Sequence, residues 1–456
     1  MSKRIENKIY LGVHEIPKAW YNIQADLPTP VSPSLHPQTL KPAQAEDMAP
    51  IFAQELVKQE VNTTDRFIEI PQEVQEAYTS WRSTPLIRAT FLEKALDTPA
   101  KIYYKYEGNN ASGSHKLNSA IAQVYYNKQE GIKRIATETG AGQWACALSI
   151  ACDRFDLECM VYMVKVSYEG KPYRRSFMQL FNGKVVPSPS TLTQYGRNVL
   201  AEDPNCSGSL GIAIGEALED TLSREDTHYC LGSVLNHVSL HQTVIGEEAL
   251  LQMEKAGDYP DVVIACCGGG SNFSGIAFPF LKDKLSGEKP DLRCVAVEPT
   301  SCPTLTRGVF AYDYGDTAGL APVVEMYTLG RNFIPPGIHA GGLRYHGASP
   351  ILSRLYHDKL VEAKAYKQTE CFDAALLFAR EEGILPAPES SHAIKAAIDE
   401  ALAAKESGEE KTILFCLSGN GIFDMQAYDN YKSGKLEDME LDEALLKKSL
   451  ADLPQV

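Results

Sequence analysis

The chain has 456 residues, 44% hydrophobic, 23% charged and 9% aromatic, proportions that exclude gross disorder and collagen-like repetition. Its 44 basic and 59 acidic residues leave a net charge of −15, which repels a phosphate backbone and argues against general nucleic-acid binding. No run approaches the ~18 uninterrupted apolar residues of a membrane span, and the amino end carries no apolar signal core, so a cytoplasmic protein is expected.

The first 50 residues hold seven of the 26 prolines, and segments such as Leu27-Pro-Thr-Pro-Val-Ser-Pro33 can continue neither a helix nor a central strand. Residues 1–78 therefore read as an extension docked on the body through Trp20, Tyr21, Ile51, Phe52 and Leu56, with a short helix near Ala49 to Glu60. After Thr84-Pro85, short β-rich runs alternate with helical ones. Strands are expected at Ile102–Tyr106, Arg134–Thr137, Cys159–Met163, Lys184–Val186, Val262–Cys266, Arg293–Glu298 and Thr412–Leu417. Between them, Leu117, Ala120, Ile121 and Val124, and then Trp144, Leu148, Ala151, Cys152 and Phe155, fall at one-face helical spacing. Such alternation over more than 300 residues means an α/β fold, a parallel sheet covered by helices on both faces. The division expected is 1–78 extension, 79–234 amino-terminal α/β domain and 235–456 carboxyl-terminal α/β domain, closing in a charged helix from Leu436 to Val456. The eleven cysteines form no Cys-x-x-Cys pair and lie mostly in apolar runs, as reduced thiols would; neither disulfides nor a metal site is expected.

In such sheets ligands bind where a strand's carboxyl end meets a helix amino terminus, and four motifs fall at such points. Gly113-Ser-His-Lys116 puts a lysine at the positive end of a helix, which disfavours its ammonium form and suits it to attack an aldehyde; taken alone it reads more readily as a solvated lysine. Glu138-Thr-Gly-Ala-Gly-Gln143 offers a backbone cradle for a carboxylate beside a potential acid or base, or simply a glycine turn. Gly268-Gly-Gly-Ser-Asn272 is a nest of N–H donors for one phosphate. It lacks the lysine of a nucleotide-phosphate loop and matches the dinucleotide fingerprint only loosely, so a small phosphorylated cofactor fits better. In Leu417-Ser-Gly-Asn-Gly421 the hydroxyl can hydrogen-bond a heteroaromatic nitrogen without protonating it, or serve an ordinary turn. His237-x-x-x-His241 has metal-compatible spacing but no third ligand, and reads as packing. Lys171-Pro-Tyr-Arg-Arg175 reads as a solvated helix start.

These four motifs in this order, with Pro388-Glu-Ser-Ser-His-Ala393, resemble the fold-type II pyridoxal-phosphate enzymes, and among them the tryptophan synthase beta chains. The proline-rich extension, Gln143-Trp144, the stretch from Tyr168 to Arg175 and His339-Ala-Gly-Gly-Leu-Arg-Tyr-His346 resemble the second, divergent branch of that family. The resemblance implies two parallel-sheet α/β domains with pyridoxal 5'-phosphate between them. Lys116 would bond the cofactor aldehyde and move the Cα proton. His115 with Gly268, Gly269, Gly270, Ser271 and Asn272 would hold the phosphate; Ser418 would face the pyridine nitrogen, with Glu389 nearby. Thr139, Gly140, Ala141, Gly142 and Gln143 would bind the amino-acid carboxylate. Glu138 would serve as acid and base while L-serine and indole become L-tryptophan.

Apolar residues around Leu117 and Trp144 would contribute to the indole pocket, and Arg344 would bind a substrate carboxylate or phosphate. A homodimer is implied, with an alpha-chain partner left open and a monovalent cation common among relatives. Ser112, Leu117, Ala145 and Asn420 depart from residues common in the branch, so the acceptor is less fixed than the cofactor chemistry. Other readings are a serine or threonine deaminase, replacement using O-phosphoserine or a non-indole nucleophile, a non-catalytic regulatory paralogue, and a nicotinamide-dependent oxidoreductase.

Overall fold

The computed structural model describes residues 7–456 and contains two parallel sheets clothed by helices. In the larger, the strands Lys101–Tyr106, Thr412–Leu417, Val262–Cys266, Arg293–Pro299 and Glu362–Tyr366 lie side by side in that order, all parallel. Leu86–Arg88 and then Lys8–Ile9 continue its first edge in antiparallel sense. The smaller sheet orders Lys184–Ser188, Glu158–Val164, Arg134–Thr139 and Thr227–Tyr229, again parallel. Central strands such as Val262-Val-Ile-Ala-Cys266 are buried throughout, as sheets covered on both faces require.

The large sheet crosses the division expected after residue 234. Leu86–Arg88 and Lys101–Tyr106 precede the small sheet in sequence yet pair into the large one, with Tyr103 opposite Leu414. Alternation of strands and helices reports that a parallel sheet exists but not which sheet a given strand joins. Four strands, Thr227–Tyr229, Glu362–Tyr366 and the hairpin partners Val309–Tyr314 and Val323–Thr328, carry too weak an alternation to be anticipated. The terminal helix is confined to Glu443–Leu450, capped by Asp442, with Pro454 beyond its end.

The described part of the extension packs onto the body. Trp20 and Tyr21 are fully buried, and Phe52, Leu56 and Val57 join the same core as Trp144, Leu148 and Phe273. Burying an aliphatic or phenyl side chain of this size contributes about 1.5–3 kcal/mol. In place of one helix over 49–60 there are two, Ala45–Met48 and Gln54–Val61, because Pro50 interrupts the run. Nδ1 of His237 lies 2.8 Å from Glu60 and Nε2 of His241 lies 2.8 Å from Gln59, so this histidine pair holds the extension.

A buried ionic cluster sets the helix that follows Lys116. Arg82 donates to Glu107 and Glu248, Lys105 donates to Glu248, and all four side chains are fully buried. Arg82 also donates 2.7 Å to Oδ1 of Asn118, in the first turn of the helix Leu117–Gln129. Breaking such a network from one side costs about 3–5 kcal/mol, so that turn has little freedom.

Candidate active site

A cleft of about 490 Å³ opens at the carboxyl ends of the large sheet's strands. Its floor is the turn Gly268–Gly270 between the strand Val262–Cys266 and the helix Ser271–Leu285. Gly270 has φ +109°, a backbone that disfavours any side chain, and a Cβ on Gly268 would stand 2.5 Å from the Gly342 carbonyl. The turn therefore brings the amino terminus of a 15-residue helix against the cleft. Ser271 and Asn272 line it, and Oδ1 of Asn272 is buried without a protein partner.

From the opposite side come His115 and Lys116. His115 Nε2 lies 3.0 Å from Ser271 Oγ while its Nδ1 is buried and unpartnered; burial holds the imidazole well below its ordinary pKa, and therefore neutral. Lys116 Nζ donates 2.9 Å to the carbonyl of Gly232. Burial pulls its ammonium down to about 8, against Glu138 and Glu389, which favour the charged form. The lowered value expected from the helix terminus thus has desolvation as its main cause.

Ser418 and Glu389 close the far end. Ser418 Oγ is 2.7 Å from Ser390 Oγ. Glu389 Oε1 accepts from the Gly342 N–H at 2.9 Å, and its Oε2 is buried without a partner. Of the loop expected to bind a carboxylate, Gln143 lines the cleft while Thr139, Gly140, Ala141 and Gly142 form the turn beside it. Thr139 Oγ1 accepts from the Gly142 N–H at 3.2 Å. Gly142 has φ +100°, and a Cβ there would lie 2.7 Å from Arg174 Cδ.

Arg174 belongs to the basic run expected to be solvated. It is instead 2% exposed, and with Lys171 it ion-pairs to Asp424, which follows the Ser418 loop. Burial alone would raise the Asp424 carboxyl, but Arg174 and Lys171 outweigh it and hold it well below the usual carboxylate range. The helix Pro172–Leu180 of the small-sheet side is thereby tied to the large-sheet side across the cleft's edge. Arg344 stands apart from the cleft. It lines a neighbouring cavity with Lys171, His339 and Asp424, and its Nη2 donates to the Pro335 carbonyl at 2.9 Å.

Glu138 faces a second, mostly apolar hollow of about 580 Å³ that shares Ser233 with the cleft. Phe52, Leu210, Ile214, Leu235 and Tyr345 are among its walls. Burial pushes the Glu138 carboxyl up to about 7, although a hydrogen bond from Tyr229 works in the other direction. Leu117 and Trp144, expected near this hollow, do not line it. Leu117 lines a separate hollow with Trp81 and Ile121, and Trp144 donates 2.8 Å to Thr137 Oγ1 with its ring against Gly232. Sequence reasoning missed Tyr229, Gly232 and Ser233; their only sequence signal is a glycine and a serine after a three-residue strand.

Residues 78–419 match the family described as pyridoxal-phosphate dependent enzyme. Over 432 residues the chain is 60% identical to tryptophan synthase beta chain 2 of Methanosarcina mazei, covering 95% of this chain and 97% of that one. It is 59% identical to the protein of the same name from Aquifex aeolicus, covering 94% and 100%. To the tryptophan synthase beta chain of Pyrococcus horikoshii it is 55% identical, covering 99% and 97%. Among solved structures it is similar in fold to an L-serine ammonia-lyase from Rhizomucor miehei, with TM-score 0.58 at 16% identity, covering 78% of this chain and 99% of that one.

Proposed function

The chain belongs to the pyridoxal-phosphate dependent enzymes and, within them, to the tryptophan synthase beta chains, and we infer from this membership that it converts L-serine and indole to L-tryptophan and water. One observation in the structure carries the reading: a cleft where the side chains of Lys116, Gln143, Asn272 and Ser418 converge adjoins, at Ser233, an apolar hollow faced by Glu138. An amino-acid donor suits the first and a flat apolar acceptor the second.

The cleft fits pyridoxal 5'-phosphate. A glycine turn presents a helix amino terminus for the phosphate, and beside it the buried His115 Nδ1 has no protein partner. Gly268–Asn272 with His115 would hold the phosphate, Lys116 the aldehyde carbon, and Ser418 the ring nitrogen, with Glu389 nearby. Bound there, the cofactor supplies an aldehyde that captures the amino group and a ring that withdraws electrons from Cα.

The chain's own residues do the rest. The loop from Thr139 to Gln143 receives the donor's carboxylate on its backbone N–H groups. Lys116, whose amine is part-neutral near pH 8, takes the Cα proton and later returns it. Glu138, poised near 7, gives a proton to the departing hydroxyl, which leaves as water. The same carboxylate then takes the proton from C3 of indole. The apolar walls around Phe52 and Ile214 keep water from the electrophilic Cβ and so disfavour the deaminase outcome.

The reading includes a homodimer and a cytoplasmic setting. It also includes a monovalent cation, and it leaves the alpha-chain partner open. Sedimentation with and without an alpha chain, and turnover in sodium against potassium, test these points. The reaction itself is tested by supplying L-serine and indole to the pyridoxal-phosphate-loaded protein and measuring tryptophan.

A further inference from the structure

The Ser418 hydroxyl sits in a chain of hydrogen bonds whose directions can be worked out. The Gly419 N–H donates to Ser390 Oγ at 3.1 Å, and an N–H can only donate. Ser390 therefore has its own proton to give. Ser418 Oγ is 2.7 Å away, whereas the alternative acceptor, the Gly419 carbonyl, is 3.4 Å away and already accepts from Ala387 N–H at 3.0 Å. On the other side, the Asn272 amide nitrogen lies 3.2 Å from the Cys266 carbonyl, which can only accept and so fixes the amide's orientation. The same nitrogen donates 3.3 Å to Cys266 Sγ, leaving the thiol's proton for Ser418 Oγ at 3.5 Å. All these side chains are buried, so water does not compete for the bonds.

We infer that Ser390 and Cys266 are positioning residues that fill both lone pairs of the Ser418 hydroxyl and make it an obligate donor. A hydroxyl in that state can hydrogen-bond an unprotonated ring nitrogen but has nothing to offer a protonated one. With the cofactor bound, Ser418 would thereby hold the ring nitrogen unprotonated. This deepens the reading above, because it rests on Ser418 facing the ring nitrogen.

The test is 15N NMR of the full-length protein loaded with ring-15N pyridoxal phosphate, after cofactor stoichiometry has been measured. Wild type is expected to show an unprotonated nitrogen between pH 6 and 8. Cys266→Ala with Ser390→Ala vacates both lone pairs and is expected to raise the protonated fraction at pH 6 at least tenfold. The single Cys266→Ala, a small change in volume, is expected to move the signal the same way to a lesser extent should the double variant not fold. Cys266→Ser restores a donor and is expected to return the wild-type signal. A protonated nitrogen in wild type, or a signal unmoved in folded, fully loaded Cys266→Ala, overturns the inference. Ser418→Ala separates the two levels. If it moves the signal while the Cys266 and Ser390 variants do not, only the relay fails; if it too leaves the signal unmoved, the placement of Ser418 fails.

Discussion

The hydroxyl of Tyr229 donates to Oε2 of Glu138 across 2.5 Å, while the backbone N–H of the same tyrosine donates to the Ile51 carbonyl at 2.8 Å. The amino-terminal extension thus holds the residue that sets the carboxylate. Tyr229→Phe removes a hydrogen bond that lowers the Glu138 pKa, so the carboxyl, now near 7, is expected to titrate higher. A bond to a charged group is worth about 1.5–3 kcal/mol, or roughly one to two pH units. The pH dependence of kcat/KM for indole reports the shift, and an unchanged profile would mean that Tyr229 does not govern Glu138.

Glu138 also links stability to pH. Its carboxyl titrates near 7 when folded against 4.5 as the reference value, so between these the folded state binds more protons. The stability it contributes is full below about 4.5 and is lost as pH rises through 7. Glu138→Gln is expected to leave stability unchanged at pH 4 and to raise it at pH 8, by at most about 3 kcal/mol. Urea midpoints at the two pH values check this; equal differences at both would contradict it.

How far these features are legible in the sequence depends on their range. Gly268–Asn272 and Gly113-Ser-His-Lys116 are local loop-to-helix motifs, readable without any distant partner, and the structure brings them to one cleft with Ser418. Residues defined by a distant partner are not legible. Arg174 reads as solvated until Asp424, 250 positions away, is brought to it. Tyr229 carries no signal in the sequence until parallel pairing sets Ala136 beside it, two residues before Glu138. Leu117 and Trp144 resemble pocket residues because they adjoin motifs, but helix periodicity turns them elsewhere.

The loop proposed to receive the donor's carboxylate is predicted to tolerate no side chain at Gly142. Gly142→Ala imposes a left-handed backbone costing about 1–2 kcal/mol and drives a methyl against Arg174. KM for L-serine is expected to rise about tenfold with KM for indole little changed. Equal effects on both substrates would place the loop elsewhere in the reaction.

Asp424→Asn would leave Arg174 and Lys171 without their carboxylate, and a buried cation stripped of its partner costs about 3–5 kcal/mol. Thermal unfolding is expected to show a loss of this size. A loss below about 1 kcal/mol would show that the ion pair does not tie the two sides of the cleft.

Phe52, contributed by the extension, walls the apolar hollow 5.9 Å from the Tyr229 ring. Phe52→Ala is expected to cost about 3–5 kcal/mol of stability and to shift preference toward bulkier substituted indoles. Competition between indole and a ring-substituted indole reads the shift; an unaltered ratio would remove Phe52 from the acceptor site.

The most direct measurement is the product distribution of the pyridoxal-phosphate-loaded protein given L-serine, with and without indole. Tryptophan formed in step with indole consumed, with pyruvate suppressed by indole, is the predicted result. Pyruvate released at the same rate whether or not indole is present, with no tryptophan, would contradict it.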